Sequence, residues 1–157
     1  MRSQTAALVA GGAVFAAALI GSRRGPQHPR TALWYASLRK PSYTPPGPAI
    51  GAAWAVLDTL LSVSGYRLLK SPPSTARSTA LTSWALSVAG IAGYPWVFFG
   101  RKQLGESAVV VGAMLASAST YVAAAERVDR PAAAMGIPLV LWVGFAGLLS
   151  EELWRRN

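Results

Sequence analysis

One carboxylate, Asp58, lies in the middle of an apolar stretch that otherwise carries no charge from residue 49 to residue 66. If that stretch crosses a membrane, a carboxylate at its centre is costly, and such residues by default mark a functional or tightly paired site. Asp58 can hydrogen-bond a ligand, pair with a basic group, or stay protonated while it faces the interior of a helix bundle. The residues alone leave these interpretations open.

Aromatic residues recur at helical spacing near this carboxylate and again near the end of the chain. Trp54 precedes Asp58 by four positions, so both lie on the same face of a helix. Trp142 follows Pro138 by four positions and precedes Phe145 by three. A bundle interior built from such residues suits a flat apolar ligand, and ordinary aromatic packing is the alternative interpretation.

The sequence offers no constellation for enzymatic catalysis or metal binding. It has no Gly-rich phosphate loop, no metal-spaced His/Glu pair and no nucleophile beside a base. Glu151 and Glu152 are adjacent and therefore point in different directions on a helix. His28, the single histidine, lies in a Pro/Arg-rich loop where solvation is its ordinary state, and the chain has no cysteine. We therefore predict no enzyme, no catalytic residue and no metal site.

Composition and charge patterning indicate an integral membrane protein. Of the 157 residues, 52% are hydrophobic and 13% are charged, whereas a typical soluble domain has about 25% charged residues. The net charge of +9 comes from basic residues that flank the apolar stretches and do not follow one helical face. That arrangement is typical of loops facing anionic lipid headgroups, and it argues against a nucleic-acid partner.

Five apolar stretches are long enough to cross a bilayer, at residues 5–21, 49–69, 79–99, 107–125 and 132–153. They are too long for barrel strands and show no polar/apolar alternation. The prediction is an all-α, five-transmembrane-helix bundle, with residues 1–157 as one membrane domain. Residues 22–48 form a long first connector with a short interfacial helix at about 31–38, and Pro95 should kink the third span. The first stretch could also be a signal peptide, but we expect a retained helix.

The basic residues also predict an orientation. With five spans, the first connector, the third connector and the C-terminus share one side of the membrane. That side carries nine Lys and Arg residues and the other side carries six. The positive-inside rule then places the first connector and the C-terminus in the cytoplasm. A bacterial cell membrane is the expected location.

Small residues recur every fourth position in the third span, at Ala85, Ala89 and Gly93. Such ridges let two helix backbones approach closely. The ridge can pack within one bundle, or it can form the face of a homodimer.

The run W-Y-x-x-L-x-K-P-S-Y-x-P-P, from Trp34 to Pro46, resembles the signature connector of the translocator protein family. That family is also called the tryptophan-rich sensory protein or peripheral benzodiazepine receptor family. The runs from Tyr94 to Gly100 and from Pro138 to Ala146 resemble two further segments of the same family. The resemblance extends over essentially the whole chain, and the first connector is its most specific element.

The resemblance implies a five-helix bundle, usually dimeric, with a pocket that opens toward the first connector. In relatives this pocket binds porphyrins or haem, and in some members sterols or aromatic drugs; no cofactor is obligatory. The function implied is a receptor, sensor or transporter-like protein. The positions that correspond to the pocket, with Tyr43 and Pro46 in its lid, are Tyr35, Tyr43, Pro46, Trp54, Asp58, Tyr94, Phe98, Trp142, Phe145 and Ala146.

The sequence departs from the family pattern at several positions, some of which line the relatives' pocket. Ile91 and Ala92 replace a usual Asn-Trp pair on the third span. Tyr43 replaces a usual Trp, Asp58 a usual Tyr, Leu139 another Tyr and Ser150 a usual Asn. These departures motivate an alternative function, in which a divergent member has lost ligand binding and serves as a membrane subunit or scaffold. Porphyrin breakdown is a third interpretation, for which the chain offers only aromatic residues and Asp58.

Overall fold

The computed structural model describes residues 1–26 and 28–157. Within these residues it contains six α-helices, one π-helical turn and no strand. The elements are α1 (Ser3–Ser22), α2 (Pro29–Ser37), α3 (Gly47–Lys70), α4 (Thr75–Pro95), the π turn (Trp96–Gly100), α5 (Leu104–Ala125) and α6 (Arg130–Arg156).

The five long helices form a closed ring. Helix α1 packs against α3 and α4, α3 packs against α6, and α5 lies between α4 and α6. The short helix α2, which occupies Pro29–Ser37 close to the predicted position 31–38, contacts the π turn at one end of the ring.

Four of the described helices, α1, α3, α5 and α6, are long and apolar enough to cross a membrane. Their outer faces carry large apolar side chains in full contact with the surroundings: Leu8 is 76% exposed, Val109 74% and Leu141 69%. A water-soluble bundle would bury such side chains, because exposed apolar area on this scale marks contact with lipid or a partner. The chain is therefore an all-helical membrane protein.

Helix α4 is the exception to the five predicted spans. Its 21 residues make it about as long as α1 and α5, but six of them are Ser or Thr. It therefore falls outside the helices that length and composition alone qualify as spans. The five-span count stays a prediction.

The long helices begin two to four residues before the predicted apolar stretches, and at α4 and α6 a polar cap residue sets the start. The hydroxyl of Ser74 caps α4 by accepting a hydrogen bond from the backbone N–H of Arg77 at 3.1 Å. The carboxylate of Asp129 caps α6 in the same way, accepting from the N–H of Ala132 at 2.8 Å. Such caps satisfy orphan donors that hydropathy does not register.

Pro95 ends α4, and the chain continues as the π turn. Because proline has no N–H to donate and its ring crowds the preceding turn, the regular hydrogen-bond ladder is interrupted at this residue. The turn closes with a 2.8 Å bond from the N–H of Arg101 to the carbonyl of Trp96. Pro138, in contrast, lies inside α6, which is continuous from Arg130 to Arg156.

One half of the bundle, around the end of α3, is tightly packed. Trp84 is 5% exposed, and its indole N–H donates to the carbonyl of Leu61 at 3.0 Å. A Cβ on Gly65 would lie 2.6 Å from the Trp84 ring, so α3 and α4 can approach here only because residue 65 is glycine.

A buried polar network closes the same half. The hydroxyls of Ser64 and Tyr121 hydrogen-bond to each other. Both hydroxyl oxygens also lie within hydrogen-bond distance of the carbonyl of Ala132, Ser64 at 2.9 Å and Tyr121 at 3.1 Å. Since each hydroxyl has one proton, one of them donates to that carbonyl while the other donates to its neighbouring hydroxyl. In a lipid environment such groups must find partners within the protein. With this half sealed, the open space lies in the other half, next to α2 and the connector.

Candidate ligand-binding cavity

A cavity of about 770 Å³ occupies the half of the bundle next to α2. All five long helices, the π turn, α2 and the connector contribute to its wall. Nine of the ten predicted ligand-binding residues line it: Tyr35, Pro46, Trp54, Asp58, Tyr94, Phe98, Trp142, Phe145 and Ala146.

Tyr43, the tenth predicted residue, is absent from the residues that line the cavity. Its side chain is 49% exposed, and its ring packs edge-on against Phe145 with the ring centroids 6.3 Å apart. Because Phe145 lines the cavity, Tyr43 supports the wall from outside. Between α2 and α3, the residues that line the cavity are Lys40, Thr44, Pro45 and Pro46.

Helices α3 and α6 contribute one aromatic wall. Trp54 meets Trp142 edge-to-face, with ring centroids 6.4 Å apart and planes at 85°. Trp142 in turn lies 5.9 Å from Phe145 on the next turn of α6. Edge-to-face pairs fix the ring planes and contribute beyond their buried area, so this wall is a defined apolar surface.

Helix α2, the end of α4 and the π turn contribute a second aromatic wall. Phe98 stacks on Tyr94 at 5.6 Å and meets Tyr35 at 6.2 Å. The hydroxyl of Tyr94 hydrogen-bonds to that of Ser150 at 3.0 Å, which links this wall to α6. Burial raises the pKa of Tyr35, which lies outside the long helices, so its phenol stays neutral and can donate a hydrogen bond.

The connector forms the mouth of the cavity. The Lys40 ammonium lies 4.5 Å from the centroid of the Tyr35 ring, a cation–π geometry. The hydroxyl of Thr44 donates to the carbonyl of Pro41 at 2.8 Å and holds the turn between these two residues. The connector is thus an ordered cover that places one positive charge at the entrance.

Asp58 faces the cavity and has an unmet hydrogen-bonding requirement. Its Oδ1 is buried and lacks a hydrogen-bond partner among the residues that the structure describes. Its backbone carbonyl, in contrast, accepts a hydrogen bond from Ser62 at 2.8 Å. Within residues 1–26 and 28–157, Asp58 and Lys40 are the charged side chains that line the cavity. Pairing with a basic group of the chain, one of the interpretations left open by the sequence, is therefore not observed within these residues.

Several lining residues escaped the sequence analysis. Ile50 precedes Trp54 by one helical turn, and Leu149 and Leu153 continue the row of Trp142 along α6. The same spacing of three to four residues that joined Trp54 to Asp58 would have found them. Ser150, four residues after Ala146, has the same spacing and was noted only as a departure from the family pattern. Lys40 gave no such signal, because its position depends on how the connector folds against the bundle.

The small-residue ridge on α4 faces outward. Ala85, Ala89 and Gly93 are exposed, and a Cβ on Gly93 would meet nothing within 4 Å. This placement excludes the ridge from packing inside the bundle among the described residues. A homodimer through this face stays a prediction.

The fold and the cavity define an all-helical integral membrane protein with an aromatic-lined interior. The model of the TspO/MBR family matches residues 6–155, and the chain belongs to that family. It is 31% identical to Protein CrtK of Rhodobacter capsulatus over 125 residues, covering 79% of this chain and 78% of the relative. It is 29% identical to the translocator protein of Bos taurus over 126 residues, covering 79% and 75%.

A third relative is the tryptophan-rich protein TspO of Bacillus cereus, 30% identical over 129 residues that cover 79% of this chain and 80% of the relative. The family assignment agrees with the resemblance seen in the connector. The relatives are named as translocator or tryptophan-rich proteins, and these names describe no enzymatic reaction.

Proposed function

We propose that this protein is a membrane receptor, sensor or transporter-like protein that binds tetrapyrroles, such as porphyrin or haem, or similar flat apolar ligands inside the bundle. The observation that carries the proposal is the cavity of about 770 Å³ between two aromatic walls. Ligand pockets commonly measure about 300–1,000 Å³ and are mostly apolar with a few polar groups. The rings of Trp54 and Trp142, whose planes are at 85° to each other, line the cavity and offer a planar ligand apolar aromatic contact.

The entrance supports the same proposal. Tetrapyrroles of the protoporphyrin type carry carboxylate side chains at one edge of an apolar ring system. The ammonium of Lys40 at the mouth would pair with such a carboxylate, while the ring system enters the apolar interior. This arrangement favours a ligand that binds with its acidic edge toward the connector.

The alternative function, a scaffold without a ligand, predicts a sealed interior. The departures from the family pattern do not fill the space: Asp58 and Ser150 line the cavity, and Leu139 packs in the core with 1% of its surface exposed. The open interior therefore favours ligand binding over the scaffold alternative.

We further infer that α4 crosses the membrane as the fifth span. It is 21 residues long, about 31 Å of helix, and it packs between α1 and α5, which both qualify as spans. The buried hydroxyl of Ser87 is satisfied inside the protein: it donates to the carbonyl of Ser83 at 2.9 Å and lies 3.1 Å from the hydroxyl of Ser117 on α5. Five spans, with the connector and C-terminus in the cytoplasm of a bacterial cell, remain the favoured topology.

The test of ligand binding is a titration of the purified protein in lipid nanodiscs with protoporphyrin, followed by tryptophan fluorescence. Trp142→Ala should raise the Kd obtained from saturable quenching by about tenfold or more, because it removes part of one aromatic wall of the cavity. The matched control is Trp154→Ala, on the same helix but outside the cavity and 57% exposed. Equally weak quenching of wild type and Trp142→Ala would contradict the site.

A further inference from the structure

The buried carboxylate of Asp58 carries an inference about the ligand's polar group. Burying a carboxylate is costly unless it is paired and hydrogen-bonded. None of the ion pairs found among the described residues includes Asp58. Asp58 lines the cavity, and its buried Oδ1 has no hydrogen-bond partner among the described residues.

The lysine of the mouth does not supply that partner. Asp58 lies eleven residues into α3, about 16 Å along the helix axis from Gly47, whereas Lys40 precedes α3. The Lys40 ammonium is also engaged locally, over the ring of Tyr35 and near the carbonyl of Ala36 at 3.4 Å. The inner end of the cavity thus presents a negative group and its entrance a positive one.

The aromatic residues around Asp58 suit a cation. Trp54 lies one helical turn away on the same face, and Trp142 meets Trp54 edge-to-face. Tryptophan rings attract ammonium groups through their electron-rich faces. The carboxylate can pair with an ammonium group, and the tryptophan rings beside it can contact both that group and an apolar molecule that carries it.

We propose that the cavity binds lipophilic amines, with Asp58 as the counter-ion of their ammonium group. This inference rests on the proposed function in one respect, that the cavity admits ligands. An ammonium satisfies Asp58 with both a charge and a donor. A neutral ligand supplies at most a donor, and a carboxylate at this end of the cavity is repelled. The site therefore ranks ligands of one shape in the order amine, neutral isostere, acid.

The test compares ligands of one shape and different charge by isothermal titration calorimetry on the full chain in nanodiscs. The probes are naphthylmethyl-dimethylamine, which is protonated at neutral pH, its uncharged isostere isobutylnaphthalene, and naphthylacetate. Empty nanodiscs correct for partitioning into lipid. The wild type should bind the amine with a Kd about tenfold or more below that of the isostere. Asp58→Asn should abolish this difference. Asp58→Glu should retain part of it.

Protoporphyrin binding, measured on the same samples, separates the two proposals. If wild type binds protoporphyrin but binds the amine and its isostere equally, the counter-ion role of Asp58 is wrong and the proposed function stands. If the amine preference is found without protoporphyrin binding, the counter-ion role stands and the tetrapyrrole function fails. If Asp58→Asn does not fold, the order of the three naphthalene ligands in the wild type still decides: a neutral or acidic ligand that binds as well as the amine overturns the inference.

Discussion

The side-chain amide of Asn157 exchanges two hydrogen bonds with the backbone of Arg39. The N–H of Arg39 donates to Oδ1 of Asn157 at 2.8 Å, and Nδ2 of Asn157 donates to the carbonyl of Arg39 at 3.3 Å. The two residues are 118 positions apart in the sequence. The pair therefore ties the connector, which covers the mouth of the cavity, to the end of α6.

Loss of this tie should speed ligand release. We predict that Asn157→Ala raises the dissociation rate of bound protoporphyrin severalfold, because each hydrogen bond contributes about 1 kcal/mol and both are solvent-exposed. Stopped-flow fluorescence measures that rate. Arg155→Ala is the control, since Arg155 contacts only Glu151 and Glu152 of its own helix among the ion pairs of the described residues. Equal rates in Asn157→Ala and wild type would show that the connector is held by other contacts.

Gly65 should be intolerant of any side chain. We predict that Gly65→Ala destabilises the bundle by about 1–3 kcal/mol, because the new Cβ would overlap the buried ring of Trp84. Gly112→Ala is the matched control on an open helix face, where nothing lies within 4 Å of the added Cβ. Unfolding in mixed detergent micelles measures both variants. A Gly65→Ala protein as stable as Gly112→Ala would refute the close contact between α3 and α4.

The pair of Arg67 and Asp129 should make stability depend on pH. Burial raises the pKa of Asp129, but the hydrogen bonds from Arg67 and from the Ala132 N–H, together with the Arg67 charge, outweigh it and leave this pKa below its ordinary value. Because the pKa of Asp129 is lower in the folded chain than in the unfolded chain, ionised Asp129 stabilises the fold at pH values above the unfolded pKa of about 3.9. That stabilisation is lost as the pH falls through the lower pKa of the folded protein.

We therefore predict that Asp129→Asn, which keeps a good helix cap, lowers the free energy of unfolding by up to about 1 kcal/mol at neutral pH. The difference from wild type should shrink progressively below about pH 4. The side chain of Arg67 is 38% exposed, which limits the effect. Glu126→Gln is the control, because the pair of Glu126 with Arg130 is exposed on both sides and should contribute almost nothing. A pH-independent difference between Asp129→Asn and wild type would contradict the assignment.

The topology can be tested with single cysteines, since the chain has none of its own. Five spans place Ser78, at the start of α4, and Gln103, between the π turn and α5, on opposite sides of the membrane, and both residues are exposed. In intact bacterial cells, Ser78→Cys should react with a membrane-impermeant maleimide, and Gln103→Cys should react only after permeabilisation. Labelling of both residues from the same side would rule out α4 as a span.

The helical architecture could be predicted because hydropathy and basic flanks report directly on the surroundings of each helix. Helical spacing pairs Trp54 with Asp58 and Trp142 with Phe145, because residues three to four apart share a face, whereas the family resemblance assigned both pairs to one pocket. Hydropathy misses the starts of the helices, where caps such as Ser74 are polar.

What the sequence could not provide were relationships between distant segments. The network of Ser64 and Tyr121 joins residues 57 positions apart, and no local pattern predicts it. Lys40 reaches the cavity only because the connector folds over the mouth, and Tyr43 lies outside for the same reason. The unpartnered oxygen of Asp58 likewise emerges only when every neighbouring helix is in place.

Protection of a cysteine inside the cavity tests the central claim most directly. Ala146→Cys places a thiol on the cavity wall, and Ser78→Cys places one on the exposed start of α4. Both are labelled with N-ethylmaleimide in nanodiscs, with and without saturating protoporphyrin. A ligand inside the bundle should slow the labelling of Ala146→Cys by about tenfold or more while the rate for Ser78→Cys stays unchanged. Equal labelling of Ala146→Cys with and without protoporphyrin would contradict a binding site in the cavity.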